Sequence, residues 1–305
     1  MNRSRFVATL LCAVTFGCGE EPVAQQKQNP ARLAITQETA VADALQKAES
    51  LQSREPLRAM QTLEEAIAAA PSSPTTAPLL LRLGILKREF EKYHWAREGE
   101  AAEAQEKRAA EFAAYAKARP EEYWYNEIGG DYLYSGFHLK EIEKRFPRSP
   151  LVVDADYELT KLTIGGECEG YVTCYISAKF TPVLAFLQKH PASKYSAEAV
   201  RRADEAFRSN LWGEKWRSEF AEITDPHKDV EGYEAAQLKR MVQDYEDLAP
   251  TLPRLLRASA TETVAYYRAR FGEAAKAREH YTWIITHAAD YQRIADVRKA
   301  LAALR

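Results

Sequence analysis

Residues 138–211 contain the same pattern twice. An apolar helical stretch ends in Phe146-Pro147-Arg148-Ser149-Pro150, and a second one ends in His190-Pro191-Ala192-Ser193-Lys194-Tyr195. Each is followed by another stretch with helical periodicity. Because proline ends a helix and serine caps the next one, the pattern predicts a repeated helix–turn–helix unit.

The rest of the chain also favours helices. Only 13 of the 305 residues are glycine and 14 are proline, and apolar residues recur at helical spacing from Glu38 almost to the end. No β-branched run and no strong Asn-Gly or Asp-Gly hairpin signal interrupts this pattern. About a dozen short helices that cannot bury their apolar faces alone must stack on one another. We therefore predict an all-α solenoid of helical hairpins over residues 38–305.

The helix pairs resemble tetratricopeptide repeats (TPRs). In that family small residues let paired helices approach and an aromatic residue fills the remaining space. Leu83-Gly84 with Ala96, and Ala277 with Tyr281, match those positions. The second helices of the pairs would end at Ala70-Pro71, Phe146-Pro147, His190-Pro191 and His287-Ala288.

The two proline–serine turns are more specifically similar to those of exported TPR proteins of envelope assembly. These include the lipoprotein of the outer-membrane β-barrel assembly machine and a periplasmic coordinator associated with the Tol–Pal system. The resemblance implies a TPR-like superhelix that binds protein partners, and it identifies no partner. Residues 90–137 and the segment around Cys168 depart from the family pattern.

The N-terminus is typical of an export signal. Arg3 and Arg5 precede an apolar segment, residues 6–16, which is too short to span a bilayer as a helix. Gly17-Cys18 follows, so the segment resembles a bacterial lipoprotein signal, although Thr15 departs from the usual aliphatic residue. The resemblance implies that residues 1–17 are removed and that Cys18 carries lipid; Gly19 resembles the outer-membrane class. An ordinary secretory signal with an incidental Cys18 is the alternative. Residues 18–37 are then a polar, flexible tether.

Besides Cys18, Cys168 and Cys174 are the only cysteines outside the signal segment 1–17. In an oxidising envelope such a close pair favours a local disulfide that staples a small insertion. A redox-active pair normally has the spacing Cys-x-x-Cys. A zinc site needs two further ligands, which no nearby His or Cys provides.

Residues 121–137 are the most aromatic part of the chain. They contain Tyr123, Trp124, Tyr125, Tyr132, Tyr134 and Phe137, and Gly129-Gly130 and Gly136 interrupt them. One interpretation is a packed core between neighbouring helices. The other is an aromatic-lined groove for an extended peptide or a glycan strand, and these six residues are then the candidate binding site.

Other chemistry finds little support in the sequence. The formal net charge is −2, with 42 basic and 44 acidic residues and no long basic run, so no electrostatic footprint for nucleic acid is present. The six histidines are scattered, and no metal, cofactor or nucleophile motif occurs. We therefore expect no catalytic residues, no metal and no cofactor.

These patterns together predict a non-catalytic scaffold or adaptor of the bacterial cell envelope. It would bind envelope proteins through the concave face of a superhelix and be held at the periplasmic face of the outer membrane by its lipid. The alternative is a helical module that binds or processes cell-wall glycan, for which the sequence contains no carboxylate motif.

The lipid anchor is directly testable. We expect Cys18→Ala to abolish metabolic labelling with palmitate, because the acceptor thiol is lost. Cys12→Ala is the matched control and should stay labelled, since Cys12 lies in the segment that is removed. Labelling that survives Cys18→Ala would contradict the lipoprotein assignment.

Overall fold

A computed structural model describes residues 30–94, 99, 101–166, 168, 172–208 and 233–304. The signal segment 1–17, Cys18 and residues 19–29 lie outside the described residues, and so does Ala96. The described chain is predominantly helical, which confirms that part of the prediction.

Twelve α-helices and one β-hairpin make up the described regular structure. The helices are α1 (Pro30–Leu51), α2 (Pro56–Ala69), α3 (Ala77–Phe90), α4 (Ala102–Lys117), α5 (Phe137–Arg145), α6 (Leu151–Leu159), α7 (Val172–Lys189), α8 (Ser196–Arg208), α9 (Tyr233–Leu248), α10 (Arg254–Arg270), α11 (Ala274–His287) and α12 (Ile294–Ala303). Three 3-10 segments lie at Pro74–Thr76, Glu91–His94 and Ala249–Thr251. Strands β1 (Tyr123–Asn126) and β2 (Asp131–Tyr134) stand between α4 and α5.

The first helix begins at Pro30, inside the segment 18–37 predicted to be a tether. Proline is favoured in the first turn of a helix, where its missing N–H costs nothing. The following Ala31-Arg32-Leu33-Ala34 are good helix formers. The polar composition that predicts a tether therefore ends earlier than expected.

One turn geometry occurs at four places along the chain. Each of these turns starts at the residue that caps α2, α5, α7 or α11. The backbone N–H three residues later donates to the carbonyl of this capping residue. The residue that provides this N–H is the middle residue of the turn, and its own carbonyl accepts the N–H another three residues later. The pairs are Ser73–Ala70 and Thr76–Ser73, Ser149–Phe146 and Val152–Ser149, Ser193–His190 and Ser196–Ser193, and Tyr291–Ala288 and Ile294–Tyr291, at 2.8–3.4 Å. The four turns lie at the four predicted helix ends.

Serine occupies the middle position in three of these turns. The hydroxyls of Ser73, Ser149 and Ser193 accept hydrogen bonds from the N–H two residues on, at 3.4, 3.2 and 3.3 Å. Each serine thus satisfies an N–H group at the start of the following helix. The predicted capping role of Ser149 and Ser193 is confirmed.

Neighbouring helices in sequence pack on one another. Contacts join α1 to α2, α2 to α3, α5 to α6, α7 to α8, α10 to α11 and α11 to α12, and the non-adjacent pairs α3–α5 and α8–α10 also meet. The buried apolar residues form three clusters along the chain. Helix α6 places Val152 and Ala155 in the first cluster and Tyr157 in the second. Helix α10 likewise contributes Val264 to the second and Ala265 to the third.

Gly84 allows the closest approach between α3 and α5. A Cβ at this position would lie 2.6 Å from Leu139 Cδ2 and 2.7 Å from Leu139 Cγ, well inside normal contact distance. Ala277 and Tyr281, the other predicted small and aromatic pair, are both buried in α11. Gly84, Ala277 and Tyr281, the described small and aromatic residues of the TPR resemblance, therefore lie at buried positions of their helices.

We expect Gly84→Ala to lower the free energy of unfolding by about 1 kcal/mol. Crowding against Leu139 costs about 1–3 kcal/mol, which exceeds the roughly 1 kcal/mol that alanine gains over glycine inside a helix. Urea unfolding of both single variants and of Gly84→Ala with Leu139→Ala gives the coupling between the two sites. The double variant should be more stable than the sum of the single effects predicts. Simple additivity would show that the contact is not tight.

Candidate functional site

The aromatic stretch is an antiparallel β-hairpin. Tyr123 pairs with Tyr134, Trp124 with Leu133, Tyr125 with Tyr132 and Asn126 with Asp131. The expectation of helix throughout is wrong here, because alternating aromatic residues favour strands and Gly130, at φ +69°, supplies the turn. The hairpin connects α4 to α5.

The hairpin separates the six aromatic residues of the candidate groove. Tyr123 and Tyr134 are only 2% and 1% exposed and fill the core, whereas Tyr132 and Phe137 are half-buried. Trp124 and Tyr125 are 44% and 50% exposed. These six residues therefore do not line one groove. Tyr123, Tyr125, Tyr132 and Tyr134 share one face of the hairpin, which is buried only at the end formed by Tyr123 and Tyr134, and Trp124 lies on the other face. The surface that remains consists of Trp124 and Tyr125.

A buried ion cluster lies beneath the hairpin. The Lys87 side chain is fully buried, its Nζ lies 2.6 Å from Glu64 Oε1, and it also pairs with Glu122. The Tyr123 hydroxyl donates to the Lys87 carbonyl at 3.2 Å. A buried ammonium needs this compensation, because an unpaired charge inside a protein is very costly. Lys87 therefore ties α3 to α2 and to the segment that enters β1.

Two titratable groups hold the second strand from opposite sides. The Glu91 carboxylate accepts the Tyr134 N–H and, at 2.9 Å, the Thr163 hydroxyl; burial raises the pKa of Glu91 to about 7. The Tyr134 hydroxyl accepts the backbone N–H of His138 at 2.9 Å and lies 3.2 Å from Nδ1 of the His138 ring. Burial, with the nearby charge of Lys87, lowers the pKa of His138 to about 3. Near neutral pH the histidine is uncharged.

The cysteine segment lies against the outer face of the hairpin. Gly165 is packed so closely on the Trp124 ring and on Leu133 that no side chain could be placed there. The sulfurs of Cys168 and Cys174 are 2.07 Å apart, which is disulfide-bonding distance. Glu234 of α9 accepts the N–H groups of Val172 and Thr173 at 3.2 and 2.9 Å and thereby caps α7. Both ends of this short segment are thus fixed to other elements.

Two adjoining clefts lie between α8, α10 and α12. Their volumes are about 550 and 390 Å³, and Arg208 and Arg293 line both. Exposed Leu255 borders the larger cleft and exposed Tyr266 the smaller one. We call this continuous surface of α8, α10 and α12 the inner face.

A buried carboxylate holds the two arginines of the inner face. Glu262 lies 3.7 Å from Arg208 and 3.0 Å from Arg293, and it accepts the Tyr291 hydroxyl at 2.7 Å. Glu262 is 7% exposed. Because Tyr291 occupies the middle position of the turn before α12, these contacts fix that turn against α10.

Asp204 is the second buried acid of the inner face. It accepts hydrogen bonds from Tyr245 at 3.1 Å, Ser259 at 2.6 Å and Thr263 at 2.7 Å. Burial raises the pKa of Asp204. Three hydroxyl donors occupy its two oxygens, so the side chain joins α8 to α9 and α10.

None of these buried acids could be recognised from the sequence. Glu91, Asp204 and Glu262 stand among many acidic residues in helical patterns, where a solvated face is the ordinary interpretation. Their burial depends on contacts with residues far away in the chain, for example Thr163 for Glu91 and Tyr245 for Asp204. No local spacing signals such contacts.

The described residues contain neither a metal-binding cluster nor a membrane-spanning helix. Within them, no three or more His, Cys, Asp or Glu side chains converge in a way that could hold a metal ion. None of the described helices combines the length and apolar character needed to cross a membrane. His190 and His280 instead pair with Asp156 and Glu246, at 2.7 and 2.8 Å.

The chain matches no model of a known protein family, and no curated protein matches it significantly. The site must therefore be interpreted from its own geometry.

Glu91 should make stability depend on pH in a direction opposite to most carboxylates. Its pKa rises from 4.5 when unfolded to about 7 when folded, so its stabilising effect is complete below pH 4.5 and is lost as pH rises through 7. His138 acts in reverse, because its lowered pKa removes stability as pH falls from 6.5 toward 3. Between pH 4.5 and 6.5 the two effects oppose each other.

We expect Glu91→Gln to remove the first effect. Urea unfolding from pH 4 to 8 gives the free energy of unfolding of the native protein minus that of the variant. This difference should fall as pH rises, by at most about 1.4 kcal/mol per pH unit. Glu89→Gln is the control, since Glu89 neighbours Glu91 in sequence but is exposed. A difference that stays constant with pH contradicts the assigned pKa.

Proposed function

We propose that the protein is a non-catalytic binding scaffold of the bacterial cell envelope. It acts through the concave inner face of a TPR-like superhelix and holds an extended segment of a protein partner. The observation that carries this proposal is the turn geometry shared by four helix connections, after α2, α5, α7 and α11. Repeated connections of this kind build extended binding surfaces in helical-repeat proteins.

The position of the inner face in the repeat supports the proposal. Helices α8 and α12 each follow one of the four turns. Helices α8 and α10 line both clefts, the turn before α12 lines the larger one, and α12 itself lines the smaller one. In a stack of hairpins the corresponding helices of each pair lie side by side and form one face. In such a superhelix the clefts would lie on the surface that is open to a ligand, and this position supports the proposal.

The chemistry of the inner face suits a peptide. Leu255 and Tyr266 are 42% and 45% exposed on α10. Their positions place them roughly 16 Å apart along the helix at 1.5 Å per residue. That length accommodates about five residues of extended chain. The Arg208 and Arg293 side chains lie on the same face and can donate to backbone carbonyls between two apolar anchors.

The envelope location rests on the N-terminal resemblance and on the cysteine pair. A lipid on Cys18 would hold the folded part at the membrane through the polar residues that follow Cys18. Cys168 and Cys174 at bonding distance suit an oxidising compartment. The disulfide would then staple the segment that covers the hairpin.

A glycan-processing module is the second candidate, favoured by a single observation. Asp204 combines a raised pKa with a position in the larger cleft. A general acid of this kind must reach the substrate. The three hydroxyl donors that occupy Asp204 support a structural role instead, and we therefore favour the scaffold.

We expect charge on the inner face to abolish partner capture. Leu255→Glu with Tyr266→Glu places two carboxylates at the apolar anchors, and purification from chemically crosslinked envelopes should lose the proteins that the native chain retains. Leu57→Glu is the matched control, because Leu57 is an exposed leucine on α2, 37% exposed. Thermal unfolding should show that all variants remain folded.

Two outcomes would contradict the scaffold. Unchanged capture by the double variant would exclude the inner face as the binding surface. Retention of peptidoglycan fragments rather than proteins, lost on Asp204→Asn, would favour the glycan module.

A further inference from the structure

The β-hairpin is an unusual element in this chain, and its two edges differ. Strand β2 contacts α3, α4 and the 3-10 segment at Glu91–His94, whereas β1 contacts α4. Leu133 and Tyr134 on β2 are buried, but Trp124 and Tyr125 on β1 are exposed on opposite faces of the sheet. Strand β1 is therefore the outer, solvent-facing strand.

The register determines where the backbone groups of β1 point. Ser135 N–H donates to the Glu122 carbonyl at 2.7 Å, which makes residues 122 and 135 a hydrogen-bonded pair. Such pairs alternate along an antiparallel ladder, so the Tyr125–Tyr132 pair is non-hydrogen-bonded. The N–H and C=O of Tyr125 consequently point away from β2. The Tyr134 N–H, which points outward from β2, supports this assignment because it binds Glu91.

Among the described residues, the outward backbone groups of Tyr125 have no hydrogen-bond partner. The Tyr123 N–H on the same edge donates to the Arg119 carbonyl at 3.0 Å. Within the described part of the chain, no residue forms a hydrogen bond with the Tyr125 N–H or C=O outside the ladder. An edge strand with free donors and acceptors and exposed aromatic side chains is a template for a further strand.

The charges at the ends of β1 determine which segment fits. Glu121 and Glu127 are exposed and flank the strand, whereas Glu122 is engaged by Lys87. A second copy of β1 running antiparallel would bring these carboxylates near their counterparts, which destabilises such a pair. A segment with basic residues at both ends meets them favourably. Glu121 and Glu127 stand in the turns just before and after the four-residue strand, so a segment of about seven residues is long enough to extend past both strand ends.

We propose that the β1 edge binds an extended partner segment, with β-branched or apolar residues at its centre and Lys or Arg at both ends, as a third strand of the hairpin. The Tyr125 N–H and C=O pair with the backbone of the segment, and Trp124 and Tyr125 cover its two faces. This surface is separate from the inner face. Its failure would leave the proposed function intact, and the reverse also holds.

A labelled peptide tests the edge directly. The probe is a fluorescein-labelled seven-residue peptide that alternates valine and threonine at its centre and carries lysine at both ends. The control peptide has the same central residues and carries glutamate at both ends. Fluorescence anisotropy with the full chain should show binding of the lysine peptide and at least about tenfold weaker binding of the glutamate peptide.

Two backbone variants separate strand addition from simple aromatic contact. Tyr125→Pro removes the outward N–H and is tolerated because proline fits an edge position whose N–H faces solvent. Tyr125→Thr removes the ring and keeps the N–H, so the two variants differ chiefly in that group. Binding of the lysine peptide should be at least about tenfold weaker for Tyr125→Pro than for Tyr125→Thr. Equal affinities would overturn the proposal.

A charge exchange provides a test that leaves the backbone unchanged. Glu121→Lys with Glu127→Lys should reverse the preference, so that the glutamate peptide binds more tightly than the lysine peptide. An unchanged preference, or failure of the native chain to bind the lysine peptide, would overturn the proposal. Circular dichroism of the whole chain and the NMR signals of the β2 amides establish that each variant is folded.

Discussion

The turn that follows α2, α5, α7 and α11 is the constraint on which the helical architecture depends. In each case two backbone hydrogen bonds, three residues apart, reverse the chain over a fixed number of residues. The helix that follows therefore begins at a set distance and angle from the one that ended. Short helices have little stability in isolation, so they persist only if this geometry brings their apolar faces together. Serine suits the middle position because its hydroxyl accepts from the N–H at the next helix start.

Buried polar groups fix the parts of the fold that the four turns do not determine. Lys87 fixes the entry to the hairpin, Glu91 fixes its second strand to Thr163, and Asp204 joins three helices through hydroxyl donors. Each contact joins segments well separated in sequence. Removing one partner would leave a buried group unsatisfied, which costs more than the contact itself contributes. These groups specify one arrangement of the surrounding helices and hold the candidate surfaces in place.

Much of the helical fold could be predicted, because its signals are local. Proline follows the ends of α2, α5 and α7, serine occupies the turn to the next helix, and apolar residues at helical spacing identify the buried face, although Pro182 lies inside α7. The hairpin could not be predicted from helical periodicity, since Tyr123 to Tyr134 form strands through cross-strand pairing and burial. The candidate surfaces could not be predicted either. Residues of α8, α10 and α12 form the inner face only together, and the burial of Glu262 depends on Arg293 and Tyr291. Of the six aromatic residues predicted as a binding site, Trp124 and Tyr125 are the exposed ones, and their role in binding stays a prediction.

Helices α6 and α10 each take part in two apolar clusters. A stack in which every cluster had its own helices could lose one cluster while the others remained intact. Here the loss of the second cluster would strip one side of both shared helices and expose the flanks of its neighbours. Among the described helices we therefore expect partial opening first at α1 and α12, the first and the last of them. The helices between these two are expected to lose their packing together rather than one at a time.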